Sequence, residues 1–458
     1  MVQAFSVEGW RVTVVGAARS GLAAAELLVS RGAQVTLSEA RDAFPDAPRM
    51  EQMGVRLELG GHQASTFRVA DLVVLSPGVP LDQPAVGEAR AAGVPVVSEI
   101  ELASRWLRGR IVAITGTKGK STTTTLTARM LRDSGLPARA GGNIGDPLSA
   151  QVEASTPETV HVIEVSSFQL EATDTFHPSI AALLNVSADH LDRHRTFDAY
   201  AGAKARIFAR QTPDDWAVLN ADDGAVARLA AEARARRRWF GFGGIEEGVT
   251  VAGDRIVERD GGEETELLPV SAVKVPGRHT LSDVLAAAAV SRLAGASVAG
   301  VARAASAFEG LEHAMELAGE VDGVRFVNDS KATTVEAARG AIESVEAPLA
   351  VIVGGRQKAG DFGDLRASLR GRARLIVAIG EAAPQVVERL GGAAPVAVAR
   401  SMREAVRTAF DAIRPGGTVL LAPACASFDM FADFAERGRR FKEEVARLAA
   451  GRRGADEQ

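Results

Sequence analysis

The stretch RIVAITGTKGKSTTTT, residues 110–125, decides how the rest of the chain is read. Ile111, Val112, Ala113 and Ile114 form a short apolar run that gives way to Gly116, Gly119, Lys120 and Ser121, so the order is strand, glycine turn, helix start. Glycines let backbone N–H groups converge on an anion, and the helix N-terminus adds partial positive charge. In such a cradle Lys120 reaches the outer phosphates and the Ser121 hydroxyl ligates Mg²⁺. Gly116 lies three residues before Gly119, closer than the common GxxxxGK[ST] spacing of about five. Threonines at 122–125 are weak helix formers, and their place in the following turn favours a phosphate loop over a plain glycine turn.

Upstream, residues 11–16, RVTVVG, are a strand that runs into a glycine turn, followed by an alanine-rich helix pattern over 21–30 and a strand at 35–37 ending at Glu39. An acidic residue some twenty positions after the turn is the Rossmann arrangement, although Ala18 stands where a second glycine would let backbone approach a pyrophosphate. A strand at 71–75 ends in Ser76-Pro77-Gly78-Val79-Pro80, a turn at the carboxyl end of a strand, where open α/β sheets bind ligands. Downstream, strands are expected at 111–114, 161–165, 180–185 and 217–220, hairpins or meander over 240–274, and a helix over 281–295. A third unit starts near Gly310, with strands at 324–327, 349–353, 375–378 and 418–421 alternating with helices, and the last ten residues read as a frayed tail. The fold class is therefore α/β with three units: a Rossmann-like one over 1–98, a phosphate-loop ATPase unit over 99–309 and a second Rossmann-like one over 310–458.

Composition narrows the function. The chain of 458 residues is long enough for two or three cores, and no window approaches a membrane span. The first residues lack a basic region followed by an apolar one, so no secretory signal is expected and the location is cytoplasmic. A single cysteine, Cys425, excludes internal disulfides and Cys-cluster metal sites. A net charge of −5 and a single Tyr argue against nucleic-acid binding, which needs a basic footprint and stacking surfaces.

Several clusters resist explanation as packing. Glu164 sits inside the apolar run Val162-Ile163-Glu164-Val165, and a buried carboxylate needs a partner, such as a metal ion bridged to phosphates. The segment 185–194, NVSADHLDRH, gathers donors, acceptors and oxygen ligands, and Lys204 follows on a helical run where composition alone would make it an exposed lysine. In the third unit, Asn328-Asp329-Ser330-Lys331 ends a strand, Gly354-Gly355-Arg356-Gln357-Lys358 ends another, and Ala422-Pro423-Ala424-Cys425-Ala426-Ser427 follows the last.

Taken in order, SPGVP, GTKGKSTTT, GGNIG, EVSSFQLE, DHLDRH, AKARI, GRHTLSD, GLEHAMEL, NDSKAT, GGRQKAGDF and PACASFDMFADFAERGRRF closely resemble the Mur ligase family over nearly the whole chain. The resemblance is nearest to members that add D-glutamate to UDP-N-acetylmuramoyl-L-alanine with ATP, through an acyl phosphate. It implies ATP contacts at Gly116, Thr117, Lys118, Gly119, Lys120, Ser121, Thr122 and Asp329. Ser121, Glu164, His190 and a carbamylated Lys204 are implied as the site of two Mg²⁺ ions, with Lys120, His190 and Lys204 in the catalytic role. Ser20, Arg41, Ser76, Gly78 and Asn143 are implied for the UDP-sugar, and Lys331, Thr333, Lys358, Ser427 and Phe434 for D-glutamate. A monomer that binds no nucleic acid is the matching expectation. The sequence departs from the family at Lys118, Thr280, Asp283, Ala314 and Thr334, of which Lys118, Thr280, Asp283 and Thr334 stand where Asn is usual and Ala314 where Arg is usual. Those departures touch nucleotide binding, which keeps a regulatory nucleotide binder open as an alternative. Folylpolyglutamate synthase shares the central pattern but not the N-terminal SPGVP unit, and an NAD-dependent oxidoreductase fits neither Ala18 nor the second glycine loop.

Overall fold

The computed structural model describes residues 5–274, 277–357 and 360–456. The chain forms two compact units, Met1–Phe308 and Glu309–Gln458.

In the first unit, β1 (Arg11–Val15), β2 (Gln34–Ser38), β3 (Arg56–Glu58), β4 (Leu72–Leu75) and β5 (Val96–Ser98) make a parallel sheet in the order β3-β2-β1-β4-β5. The order reverses between β1 and β4, so the crevice outside their carboxyl ends is the place for a ligand. A second sheet holds β6 (Arg110–Thr115), β7 (Ala138–Gly142), β8 (Val160–Glu164), β9 (Ile180–Leu183), β10 (Trp216–Asn220), β11 (Arg236–Gly241), β12 (Gly248–Ala252), β13 (Arg255–Asp260) and β14 (Glu263–Pro269), in the order β14-β13-β12-β11-β10-β9-β6-β8-β7. From β12 through β14 the pairing is antiparallel, which is the meander expected over 240–274. β6 is buried beyond its first residue because a parallel inner strand is covered on both faces, and an unbroken apolar run is what that demands. The linking helix Glu99–Ser104 is bound to the second sheet's loops: the buried Glu101 carboxylate accepts N–H bonds from Asp174, Thr175 and Phe176 at 2.8–3.1 Å.

The second unit holds β15 (Glu316–Val321), β16 (Val324–Asn328), β17 (Leu349–Gly354), β18 (Ala373–Ile379), β19 (Val396–Ala399) and β20 (Gly417–Leu421). Their order is β15-β16-β20-β17-β18-β19, antiparallel only at the β15–β16 edge. Helix Met402–Ile413 buries Met402, Ala405, Val406, Ala409, Phe410 and Ile413, the one-sided stripe of a helix lying on a sheet. Residues 449–456, expected to fray, instead continue helix Phe434–Asp456, where Arg452 donates to the Asp322 carboxylate at 2.7 Å. Among the described residues, no helix is long and apolar enough to cross a membrane.

Candidate active site

The loop after β6 is shaped by a glycine in the left-handed region. Gly119 caps helix Lys120–Asp133 at φ +80°, and a Cβ there would lie 2.0 Å from Asp283 Oδ1. The helix tolerates its threonines because Thr123, Thr124 and Thr127 are buried where it packs on helices Arg278–Leu293 and Val298–Ser306. Asn185, just past β9, fixes the loop from the side: its Oδ1 accepts from the N–H groups of Thr117 (3.1 Å) and Lys118 (2.8 Å), while its amide donates to Lys118 O at 3.1 Å. Lys120 folds back so that its ammonium donates to Gly116 O (3.0 Å) and Thr117 O (2.9 Å).

Glu164 ends β8, an inner strand, and is buried, as its apolar neighbours imply. Its carboxylate accepts from Ser121 Oγ at 2.6 Å and from Asn143 Nδ2 at 2.8 Å. Lys204 is only 1% exposed and donates to Gly116 O at 2.7 Å. Its Nζ also sits 4.6 Å from the centroid of the Tyr200 ring. Burial, aided by the Lys120 charge, pushes the Lys204 ammonium down to about 6. Gly116 O thus receives both amines, and Thr117 Oγ1 adds the Tyr200 hydroxyl at 3.2 Å.

His190 is placed differently. It is exposed at φ +53°, its own N–H donates to Asp189 Oδ1 at 2.8 Å, and its ring is 5.0 Å from that of Phe168. The next histidine is the buried one: His194 bonds Ser167 Oγ at 3.0 Å and lies 3.2 Å from Glu171. Among the described residues no three His, Cys, Asp or Glu side chains converge into a metal cage. The donors that do converge, the Ser121 hydroxyl and the Glu164 carboxylate, are hard oxygens, the set Mg²⁺ takes when phosphates and water complete its shell.

Three of the residues expected at the UDP-sugar meet at the turn after β1. Ser20 lies in the first turn of helix Arg19–Ser30, Ser76 Oγ donates to Gly16 O at 3.0 Å, and Arg41 Nη2 donates to Ala17 O at 3.3 Å. Gly78 is exposed in the loop after β4. Asn143 is not with them; its side chain is on Glu164. Arg193 Nη2 donates to Val79 O at 3.2 Å, joining the SPGVP loop to the DHLDRH segment.

In the second unit, Asp329 is buried, accepts the Met315 N–H at 3.2 Å and is pushed up to about 6 by burial. Lys331 is exposed, with its N–H on His313 O at 3.0 Å, and the Thr333 N–H donates to Lys331 O at 2.8 Å. Ser427 is buried after β20, and Phe434, 38% exposed, opens the last helix. Lys358 lies outside the described residues. The loops are joined by a residue the sequence named only in passing: buried Arg437 donates to Ser330 Oγ (2.9 Å), Ser330 O (2.8 Å) and Cys425 O (3.0 Å). Asn185 and Arg437 lie inside stretches the sequence singles out, but nothing in the sequence tells that Asn185 would hold the loop after β6 or that Arg437 would be buried between Ser330 and Cys425; Tyr200 stands out only as the single Tyr.

The chain matches the models of the Mur ligase middle domain over residues 114–291, the Mur ligase MurD-like N-terminal domain over 10–98, and the Mur ligase glutamate ligase domain over 314–425. It is 45% identical over 445 residues to the UDP-N-acetylmuramoylalanine–D-glutamate ligase of Acidobacterium capsulatum, covering 96% of both chains. To the enzyme of the same name from Pelotomaculum thermopropionicum it is 44% identical, covering 96% of this chain and 98% of the relative. Among solved structures, UDP-N-acetylmuramate–alanine ligase from Thermotoga maritima superposes with TM-score 0.58 at 20% identity, covering 96% of this chain and all of that one. The fold is likewise that of a MurF ligase from the same organism in complex with ADP, with TM-score 0.56 and 16% identity over 98% of each chain.

Proposed function

Because this chain belongs to the Mur ligase family, we propose that it joins the carboxylate of UDP-N-acetylmuramoyl-L-alanine to the amine of D-glutamate with ATP, making a peptidoglycan precursor. The observation that carries this choice of substrates is the similarity, over nearly the full length, to ligases named for them. In this reading the substrate carboxylate attacks the γ-phosphate and ADP leaves. The amine then attacks the acyl carbon, and phosphate departs from the tetrahedral intermediate.

The residues after β6 supply what phosphoryl transfer needs, which is mostly position and charge. The Lys120 ammonium and the amides opening helix Lys120–Asp133 face charge that grows on the phosphoryl oxygens, in a site where buried Glu164 and Lys204 exclude water. Gly116, Thr117, Lys118 and Thr122 complete the wall of this cradle, and Asp329 is assigned to the nucleotide ribose. Ser121 and Glu164 would hold Mg²⁺ with His190 near by; when bound, the ion neutralises phosphate charge. Lys204 suits carbamylation because a neutral buried amine attacks CO₂, forming an N–C bond and releasing one proton; the product is anionic and offers oxygen ligands.

Ser20, Arg41, Ser76 and Gly78 are assigned to the UDP-sugar, with Asn143 oriented by Glu164. Lys331 and Lys358 are the cations for the two carboxylates of D-glutamate, Ser427 a hydrogen-bond partner, and Thr333 and Phe434 the wall. A cytoplasmic monomer accompanies this reading. The test is phosphate release from ATP with UDP-N-acetylmuramoyl-L-alanine and either D- or L-glutamate. Release that needs the UDP-sugar and D-glutamate together supports the reading; equal rates with L-glutamate overturn it.

A further inference from the structure

Asp283 is a carboxyl group in an unexpected place. It lies on helix Arg278–Leu293, where that helix crosses the start of helix Lys120–Asp133, and its Oδ1 is so close to the phosphate loop that a Cβ on Gly119 would lie 2.0 Å from it. A polyphosphate brings several negative charges to this loop, and an ionised carboxylate behind the glycine repels them. Asp283 is half-buried, with its carboxyl turned into the protein against the loop. Three buried carboxylates of the unit are fully compensated, Glu164 by Ser121 and Asn143, Glu39 by Ala17 and Arg41, and Glu101 by the N–H groups of residues 174–176; Glu99, away from the loop, keeps only the Ser149 N–H on one oxygen. Asp283 has no hydrogen-bond or ion-pair partner among the described residues.

No charged group among the described residues pairs with it; His279, one turn earlier on the same helix, is exposed, and the others on the segments around it are exposed or bonded elsewhere. Lys120 is on Gly116 O and Thr117 O, and Lys118 is exposed on the loop. Asp222 accepts from Phe242 N–H, Asp223 caps helix Gly224–Leu229, and Arg278 lies over the Phe242 ring. Arg238 of β11 is paired with Glu247 and Asp260.

We propose that Asp283 reads the charge of the nucleotide: tight binding of Mg–ATP requires the neutral carboxylic acid, so at alkaline pH each nucleotide bound takes up one proton from solvent. Burial alone already pushes this carboxyl up to about 7, so the free protein crosses between the two states near neutrality. The inference rests on the assignment of the loop to a nucleotide. Asparagine has the shape of the neutral acid and cannot ionise, so Asp283→Asn separates charge from packing.

Isothermal titration calorimetry of the full chain with Mg–ATP, in buffers of different ionisation heat, tests it. For the unaltered chain, Kd should rise about tenfold between about pH 6 and about pH 8, with nearly one proton taken up at the upper pH. Asp283→Asn should bind about tenfold more tightly than the unaltered chain at about pH 8, show no such proton uptake, and lose the pH dependence beyond what the nucleotide's own titration gives. Parallel pH profiles for the two proteins would overturn the proposal, as would absence of proton uptake by the unaltered chain, which needs no variant to fold. No binding by either protein at any pH would overturn the nucleotide assignment itself.

Discussion

Gly16 and Gly116 each close a buried parallel strand and precede a helix, and their turns are charged in opposite senses. After β1 the Ala17 N–H donates to Glu39 Oε2 at 2.6 Å, and Arg41 brackets the same carboxylate from outside. That turn is occupied by an anion belonging to the chain. After β6 two lysines, Lys120 and Lys204, meet at Gly116 O, the Glu164 carboxylate is held by Ser121 and Asn143, and the one carboxyl against the loop among the described residues, Asp283, lies behind Gly119 and not on the N–H groups of the turn. The backbone device is the same, and what differs is the side chain delivered by the neighbouring strand: β2 delivers Glu39 to the first turn, β9 delivers the neutral Asn185 to the second. A glycine turn becomes a phosphate cradle only where its neighbours leave the anion's place to a ligand.

The comparison breaks first at Lys120. Lys120→Ala should lower the rate of phosphate release by about 10³-fold or more, while thermal unfolding shifts little, because the lost cation acts on charge that develops in the transition state. If the variant keeps more than roughly a tenth of the rate, the second turn is no more a phosphate site than the first.

Lys204→Ala should cost about 10²-fold in turnover and be partly rescued by acetate, a carboxylate small enough to replace a carbamate. Lys204→Arg should not be rescued, since arginine forms no carbamate. Full activity of the alanine variant in CO₂-free buffer would reduce Lys204 to a packing residue beside Tyr200.

Much of this contrast is legible in the sequence. The apolar run ending at Gly116 and the Gly-Lys-Ser that follows fix a strand, a turn and a helix by periodicity and glycine alone, and the inner parallel strands of both Rossmann-like sheets lie within a residue or two of the reading, whereas the edge strands β3 and β19 are not expected from it. Glu164 was flagged because a carboxylate in an apolar run has no cheap solution. Lys204 was legible only through family resemblance; in composition it is a helix lysine, and its burial is decided by Gly116, 88 positions away. Short strands such as β3 and β7 were missed for the same reason: Arg56–Glu58 and Ala138–Gly142 have no strand pattern and are strands because a neighbour offers a ladder. For Glu39 the sequence gives the distance from the turn but not that its carboxylate accepts the Ala17 N–H beside Arg41.

Gly21 sharpens the comparison on the stability side. A Cβ there would lie 1.8 Å from Gly16 O, a backbone atom that cannot rotate away, so Gly21→Ala should destabilise the protein by about 2–3 kcal/mol. The matching position after Gly116, also five residues on, is Ser121, which the second turn accommodates. A denaturant midpoint unchanged in Gly21→Ala would mean that the first turn is looser than the second.

The smallest effect expected belongs to Glu39, and it carries a pH signature. Burial by itself would raise its pKa, but hydrogen bonds from the Arg41 guanidinium and from the N–H groups of Ala17 and Arg41 outweigh burial and hold the carboxyl down to about 2. A carboxyl depressed in the folded state contributes stability that is complete above its unfolded pKa, near 4.5, and is lost as pH falls through the folded value near 2. The full shift would correspond to roughly 3 kcal/mol, but Arg41 is more than half exposed and solvent screens it, so about 1–2 kcal/mol is the realistic contribution at neutral pH. Glu39→Gln keeps the shape and an acceptor for Ala17 while removing the charge. Its unfolding free energy should therefore lie about 1–2 kcal/mol below that of the unaltered chain at neutral pH, and the gap should close as the medium is acidified from about pH 5 toward about pH 2. A gap that stays constant across that range would show that Glu39 acts by packing alone, and the charge contrast between the two turns would then rest on Lys120 and Lys204 only.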